Sequence, residues 1–204
     1  MPRRDNYAQA AREARARFLT YDQEEILKKC PVRADGDFLC LPVLARLHRI
    51  SRSTGHIECL DGDIWLPADD FATTLTLFDY LCDSHPVRCL SGREMTTAFF
   101  GNHFHTPLLE TASPLERRID RSPGAFRRAC SRLQGEEIPG GDLSFRIFLF
   151  PDLPVTLRFW HSDEDFPPSL RFFWDENTNR FIRYETMHYA LGLIQSRLTH
   201  LLQN

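Results

Sequence analysis

The 204-residue sequence has no apolar run approaching the roughly 18 residues that a membrane-spanning helix needs, so no membrane association is expected. An excess of charge of one sign is missing as well: 25 Lys and Arg stand against 28 Asp and Glu, for a net charge of −3. Such a balance offers no electrostatic footprint for nucleic acid. The N-terminus, MPRRDNYAQAAREARARF, is basic but lacks the apolar segment of a secretory signal, which makes cytoplasmic the expected location. Cysteine pairs are also absent. Cys30, Cys40, Cys59, Cys82, Cys89 and Cys130 stand singly, with no C-x-x-C from which a zinc ribbon or iron–sulfur cradle could be read. In a reducing compartment they are expected as small buried hydrophobes. No phosphate loop exists, because Gly140-Gly141 follows Pro139 without a Lys-Ser/Thr. Ser91, in Leu-Ser-Gly-Arg, is not in a G-x-S-x-G nucleophile elbow. Repeats, low-complexity tracts and linkers are missing too, and residues 1–204 read as one domain with a helical segment, 1–32, packed on it.

What is present is core material: 42 % of residues are hydrophobic and 16 are Phe. Tyr7, Ala11, Ala14 and Phe18 fall on one helical stripe in residues 5–19, and the arginines at 3, 4, 12, 15 and 17 read as its solvated face. Asp22-Gln-Glu-Glu25 resembles a capping box opening a second helix toward Cys30. Strands are expected at Phe38–Leu41, Leu44–Ile50, His56–Leu60 and Ile64–Leu66, with turns at Ser53–Gly55 and Asp61-Gly62. His48 and His56 lie in this meander as half-exposed strand surface. A helix capped by Asp69 or Asp70 follows, burying Phe71, Leu75, Phe78 and Cys82. Residues 84–112 read as a long loop with a short helix, and 113–133 as two short helices broken at Ser122-Pro123-Gly124. The last helix, from about Tyr184 to Leu202, buries Met187, Ala190, Leu191, Ile194, Leu198 and Leu201. Helices, strands, helices, strands and a helix in succession argue an α+β fold, its antiparallel or mixed sheet built from two strand groups with N-terminal, middle and C-terminal helices packed on it.

The second strand group organises the chain. Leu143–Phe150, Val155–Trp160 and Ser169–Trp174 are apolar runs punctuated by Pro151, Pro154 and Pro167-Pro168. The polar cluster His161-Ser-Asp163-Glu164-Asp165 interrupts them. At a strand end, His161, Asp163 and Asp165 present a ligand set that suits a divalent metal, joined by His103 and His105 if their loop lies over it. The competing reading makes Asp163 and Glu164 a turn that caps backbone amides. General acid–base work by Asp163 or Glu164 is a second chemical reading, without an identifiable nucleophile. The third is a ligand or partner surface at Trp160, His161, Asp163, Glu164 and Phe166.

Gly140-Gly-Asp-Leu-Ser-Phe-Arg146, Phe150-Pro151, Trp160-x-x-Asp163-Glu164-x-Phe166-Pro167, Phe173 and Asp175 resemble the family catalogued as domain of unknown function 3786. Tyr80-Leu81 and Leu90-Ser91-Gly92 are similar to its middle segment. Where that family usually has Gly-Lys/Arg-Trp, however, Arg93 is followed here by Glu94 and Met95. The resemblance implies an anaerobic source and, because some such proteins carry a four-cysteine iron–sulfur domain, an accessory role beside an iron–sulfur or corrinoid protein. It implies no established activity. The expectation is a ligand- or partner-binding accessory module, with a metal-dependent enzyme as the alternative.

Overall fold

Each strand-rich stretch of the sequence builds its own five-stranded sheet, and strand pairing follows chain order with one exception. The computed structural model describes residues 3–101 and 112–203. In the first sheet β1 (Arg33–Asp35), β2 (Phe38–Val43), β3 (Arg46–Ser51), β4 (Ile57–Asp61) and β5 (Ile64–Pro67) lie side by side. The second has the order β6 (Glu94–Thr96), β10 (Ser169–Asp175), β9 (Leu153–Trp160), β8 (Leu143–Phe150), β7 (Glu136–Glu137). Every pairing is antiparallel, so the α+β class holds and the mixed alternative does not. The helices are α1 (Arg3–Thr20), α2 (Gln23–Lys29), α3 (Phe71–Phe78), α4 (Pro114–Arg121), α5 (Pro123–Arg132) and α6 (Tyr184–Leu201). Among the described residues no helix is long and apolar enough to cross a membrane.

Helix ends sit where capping chemistry puts them. Asp22 accepts from the Glu24 N–H, and Asp70 accepts from the N–H groups of Ala72 and Thr73. Ser113 and Glu116 exchange bonds in a full capping box. Asp69, the other expected cap, instead accepts from Arg15 at 2.5 Å and from the Ile57 N–H at 2.9 Å, tying α1 to β4. Arg15 is therefore half-buried and ion-paired to Asp69, off the expected solvated face, whereas Arg17 stays exposed on it while pairing with Asp83.

The expected stripe of α3 is shifted. Phe71 is exposed and Leu75 half-buried, while Thr73, Thr74, Thr76 and Leu77 lie in the interior. The cause is packing: α3 touches both α1 and α6 and so is covered on more than one side. It runs on into a π-turn, Asp79–Asp83, whose Tyr80 ring stacks on Phe150 at 3.8 Å. The α6 stripe is as expected, with Met187, Ala190, Ile194, Leu198 and Leu201 buried and Leu191 partly so.

Leu44, expected inside a strand, is in a two-residue turn between β2 and β3. Val43 pairs with Arg46, and Leu44 and Ala45 both take positive φ, 48° and 57°. The turn is held from outside, because the Leu44 N–H donates to the Leu149 carbonyl at 3.1 Å and so joins the two sheets. Left-handed backbone costs an L-residue about 1–2 kcal/mol, more than glycine loses in chain entropy. Ala45→Gly is expected to raise unfolding stability by about 0.5–1 kcal/mol, read as a higher urea midpoint at unchanged slope; a lower midpoint would contradict this account of the turn.

Buried apolar residues from both sheets and the helices make one continuous cluster. Five of the six cysteines belong to the interior, but Cys89 is exposed. Burial pushes the Cys82 thiol up to about 12 and raises those of Cys30, Cys40 and Cys130, which leaves them unreactive packing groups.

Candidate functional site

The turn after β9 is built by hydrogen bonds to its own backbone. Asp163 Oδ1 accepts from the N–H groups of Asp165 (2.9 Å) and Phe166 (2.7 Å), and the Asp163 N–H donates to the Phe166 carbonyl at 3.0 Å. Asp163 is thus an Asx-turn residue. His161 faces a different partner, Asp120 of α4: its Nδ1 lies 2.8 Å from Asp120 Oδ1, and the Ser162 hydroxyl donates to Asp120 Oδ2 at 2.7 Å. These two bonds hold the Asp120 carboxyl below the usual carboxylate range, His161 contributing most. A relay for nucleophilic attack needs serine on the far nitrogen of the histidine, but here both residues converge on one carboxylate. Trp160 is half-buried, with the Arg171 guanidinium 5.8 Å from its ring, while Glu164 and Asp165 are exposed and Phe166 is 70 % exposed. His103 and His105 lie outside the described residues. Among the described residues no group of three His, Cys, Asp or Glu side chains is close enough to hold a metal.

The glycines and aspartates quoted from this stretch position its strands. Asp142 Oδ2 accepts the His161 N–H at 2.7 Å, and the Asp142 N–H donates to the Phe159 carbonyl at 2.9 Å. Gly141 has φ +56°, and a Cβ there would come within 2.8 Å of that carbonyl, so the approach requires glycine. At the far end of β10 the buried Asp175 accepts from the N–H groups of Ser91 (2.9 Å), Gly92 (2.8 Å) and Asn177 (2.8 Å). The Leu90-Ser91-Gly92 motif is therefore docked by Asp175 across 83 residues of chain.

The better site lies elsewhere. A cavity of about 370 Å³ opens where α3 and α6 cover the first sheet, within the size range of small-ligand sites. Strand register explains its floor. Leu41, His48, Cys59 and Leu66 pair in a row across β2–β5, and alternation turns Arg46 and His48 to the same face of β3. His48, expected as half-exposed strand surface, is only 8 % exposed. Its Nδ1 lies 2.9 Å from the Arg46 carbonyl, and burial, aided by the charges of Arg46 and Arg197, lowers its pKa from 6.5 to about 4. Arg46 is committed, its Nε donating to the Leu60 carbonyl at 3.0 Å and its terminal nitrogen lying 3.3 Å from Asp61. Asp70 is committed too, accepting two backbone N–H groups and the Thr73 hydroxyl.

Arg197, from α6, has no such commitment. Among the described residues it meets no carboxylate within ion-pair distance, and its Nε is buried without a hydrogen-bond partner. Burial first, then the neighbouring Arg46 charge, pushes its pKa below the usual arginine range. The buried hydroxyl of Thr76 on α3, which also lines the cavity, likewise has no partner. Sequence reasoning passed over both residues. The signal was a polar stripe, Ser196, Arg197 and His200, running beside the apolar stripe of α6.

A second cavity, of about 380 Å³, lies between α1, α3 and α6. Both cations on its walls are paired, Arg17 with Asp83 and Arg183 with Asp79 and Asp83, and Glu13 and Glu185 add further negative charge, so it does not suit an anion.

A family model described as a domain of unknown function (DUF3786) matches residues 22–196. No curated protein and no solved structure matches the chain.

Proposed function

The chain belongs to the DUF3786 family, whose description states no activity, and we propose from its geometry that it is a binding module for a small anionic ligand held at Arg197. One observation carries this: a guanidinium sits half-buried on a cavity wall with no carboxylate within ion-pair distance among the described residues. A charge in that position is poorly solvated, and an anion in the cavity would offset the penalty through the paired donors of the guanidinium. Apolar residues along the same walls, Val43, Leu44, Leu77 and Leu193, suit a ligand with a short hydrocarbon part. A small monocarboxylate fits one free guanidinium. The accessory role beside an iron–sulfur or corrinoid protein is part of the proposal only through the family resemblance, and metal-dependent chemistry at His161, Asp163 and Asp165 only through the residue types in that turn.

The test is calorimetric titration of the protein with acetate, propionate, butyrate and inorganic phosphate, repeated on Arg197→Gln. Saturable binding of at least one anion, weakened about tenfold or more in the variant at unchanged circular dichroism, is the expected result. Binding of equal strength in the variant, or no binding of any of the four, would overturn the reading.

A further inference from the structure

Resting on that reading, we infer that the ligand is a hydroxycarboxylate, with its carboxylate on Arg197 and its hydroxyl donating to Nε2 of His48. A carbonyl oxygen can only accept, so the 2.9 Å contact with the Arg46 carbonyl requires the proton on Nδ1 of His48. The ring is neutral at pH 7, and in this tautomer its Nε2 is a lone-pair acceptor. No described residue donates to it. The cavity therefore combines unfilled donors on α6 with an unfilled acceptor on β3. A ligand that satisfies both must carry an anionic group and a hydrogen-bond donor.

Charge selects between a hydroxyl and an ammonium as that donor. Arg46 and Arg197 bear on His48 with positive charge and only Asp70 with negative. The Asp70 oxygens are already engaged with Ala72 and Thr73. The positive charges there are already balanced by Asp61, paired with Arg46, and by Asp70, so an ammonium gains no counter-charge of its own and would be desolvated at Nε2, a cost that a neutral hydroxyl avoids. Amino acids are disfavoured and hydroxy acids favoured.

Two pairs of acids differing by a single hydroxyl decide the matter: lactate against propionate, and 3-hydroxybutyrate against butyrate, with alanine as the ammonium analogue. Each is titrated calorimetrically at pH 7 into the protein, His48→Leu and Arg197→Gln. In one pair or both, the hydroxy acid is expected to bind about tenfold or more tightly than its partner, because a buried acceptor left unpaired is costly. That preference should vanish in His48→Leu and alanine should not bind. Equal binding within both pairs, with both lost in Arg197→Gln, overturns the hydroxyl inference and keeps the anion reading. No binding by any of these acids overturns the hydroxyl inference, and the anion reading falls with it when acetate and phosphate also fail to bind. If His48→Leu fails to fold, the ratios within the two pairs on the unmodified protein decide alone.

Discussion

Between pH 7 and pH 4 the protein is expected to lose about 3 kcal/mol of stability through His48 alone. The ring is buried and its pKa falls from 6.5 to about 4 in the folded state. Between those values the unfolded chain binds a proton that the folded protein refuses, so stability rises with pH across the window and is complete above about 6.5. The charges bearing on the ring are Arg46 and Arg197, which oppose protonation, and Asp70, which favours it. Asp79 works in the opposite direction. Burial raises its carboxyl pKa, so its contribution is lost as pH rises through the carboxylate range. Both the unmodified protein and His48→Leu carry Asp79, so the difference between their urea-unfolding free energies isolates the histidine. That difference should change by about 3 kcal/mol from pH 7 to pH 4. A flat difference would mean that His48 is hydrated or able to turn outward, and would remove the fixed acceptor from the cavity.

Asp175→Ala is expected to cost about 3–5 kcal/mol, among the largest effects of any polar substitution here. The carboxylate is 7 % exposed and accepts three backbone N–H groups, from Ser91, Gly92 and Asn177. Removing it deletes three hydrogen bonds to a charged acceptor, each worth about 1.5–3 kcal/mol, and water reaching the exposed Ser91 and Gly92 recovers part of that loss. The damage should be local at first, since among the described residues β6 pairs only with β10. Amide exchange at Ser91, Gly92 and the β6 strand should accelerate before that of β8 and β9. Asp175→Asn keeps one accepting oxygen and should cost less than half as much. Were Asp175→Ala within 1 kcal/mol of the unmodified protein, about the size of a single net hydrogen bond, water must be replacing the carboxylate.

The elements most legible in the sequence were those whose signal is local. β8, β9 and β10 follow from apolar runs between prolines, α4 and α5 from Ser113-Pro114 and Ser122-Pro123, and α6 from its stripe. What escaped were consequences of tertiary packing. The threonine face of α3 is interior because helices cover both of its sides, and no periodicity rule places Thr74 and Thr76 inside. Leu44 reads as a strand residue by composition, yet a hydrogen bond from the other sheet holds it at φ 48°. The acidic turn reads as a site because its charges are contiguous, but the Asp163 carboxylate accepts from the N–H groups of Asp165 and Phe166. The cavity drew none because its polar groups come singly from β3, α3 and α6, far apart in sequence and each embedded in an apolar pattern. Arg46-Leu-His48-Arg-Ile50 did hold a trace of it, since His48 shares the parity of Ile50.

The pairing order of the sheets bears on how the chain reaches its fold. β1 to β5 are joined hairpin by hairpin, and so are β7 to β10, which makes almost every strand contact a short loop closure of low entropic cost. β6 is the exception. It must wait for β10, the last strand to be synthesised, with the whole middle of the chain between them. The docking of β6 with the Ser91-Gly92 turn is thus the strand pairing with the longest loop to close among the described residues, and it is expected to form after the hairpins of either sheet. During synthesis that segment has no strand of its own sheet to join until β10 has emerged.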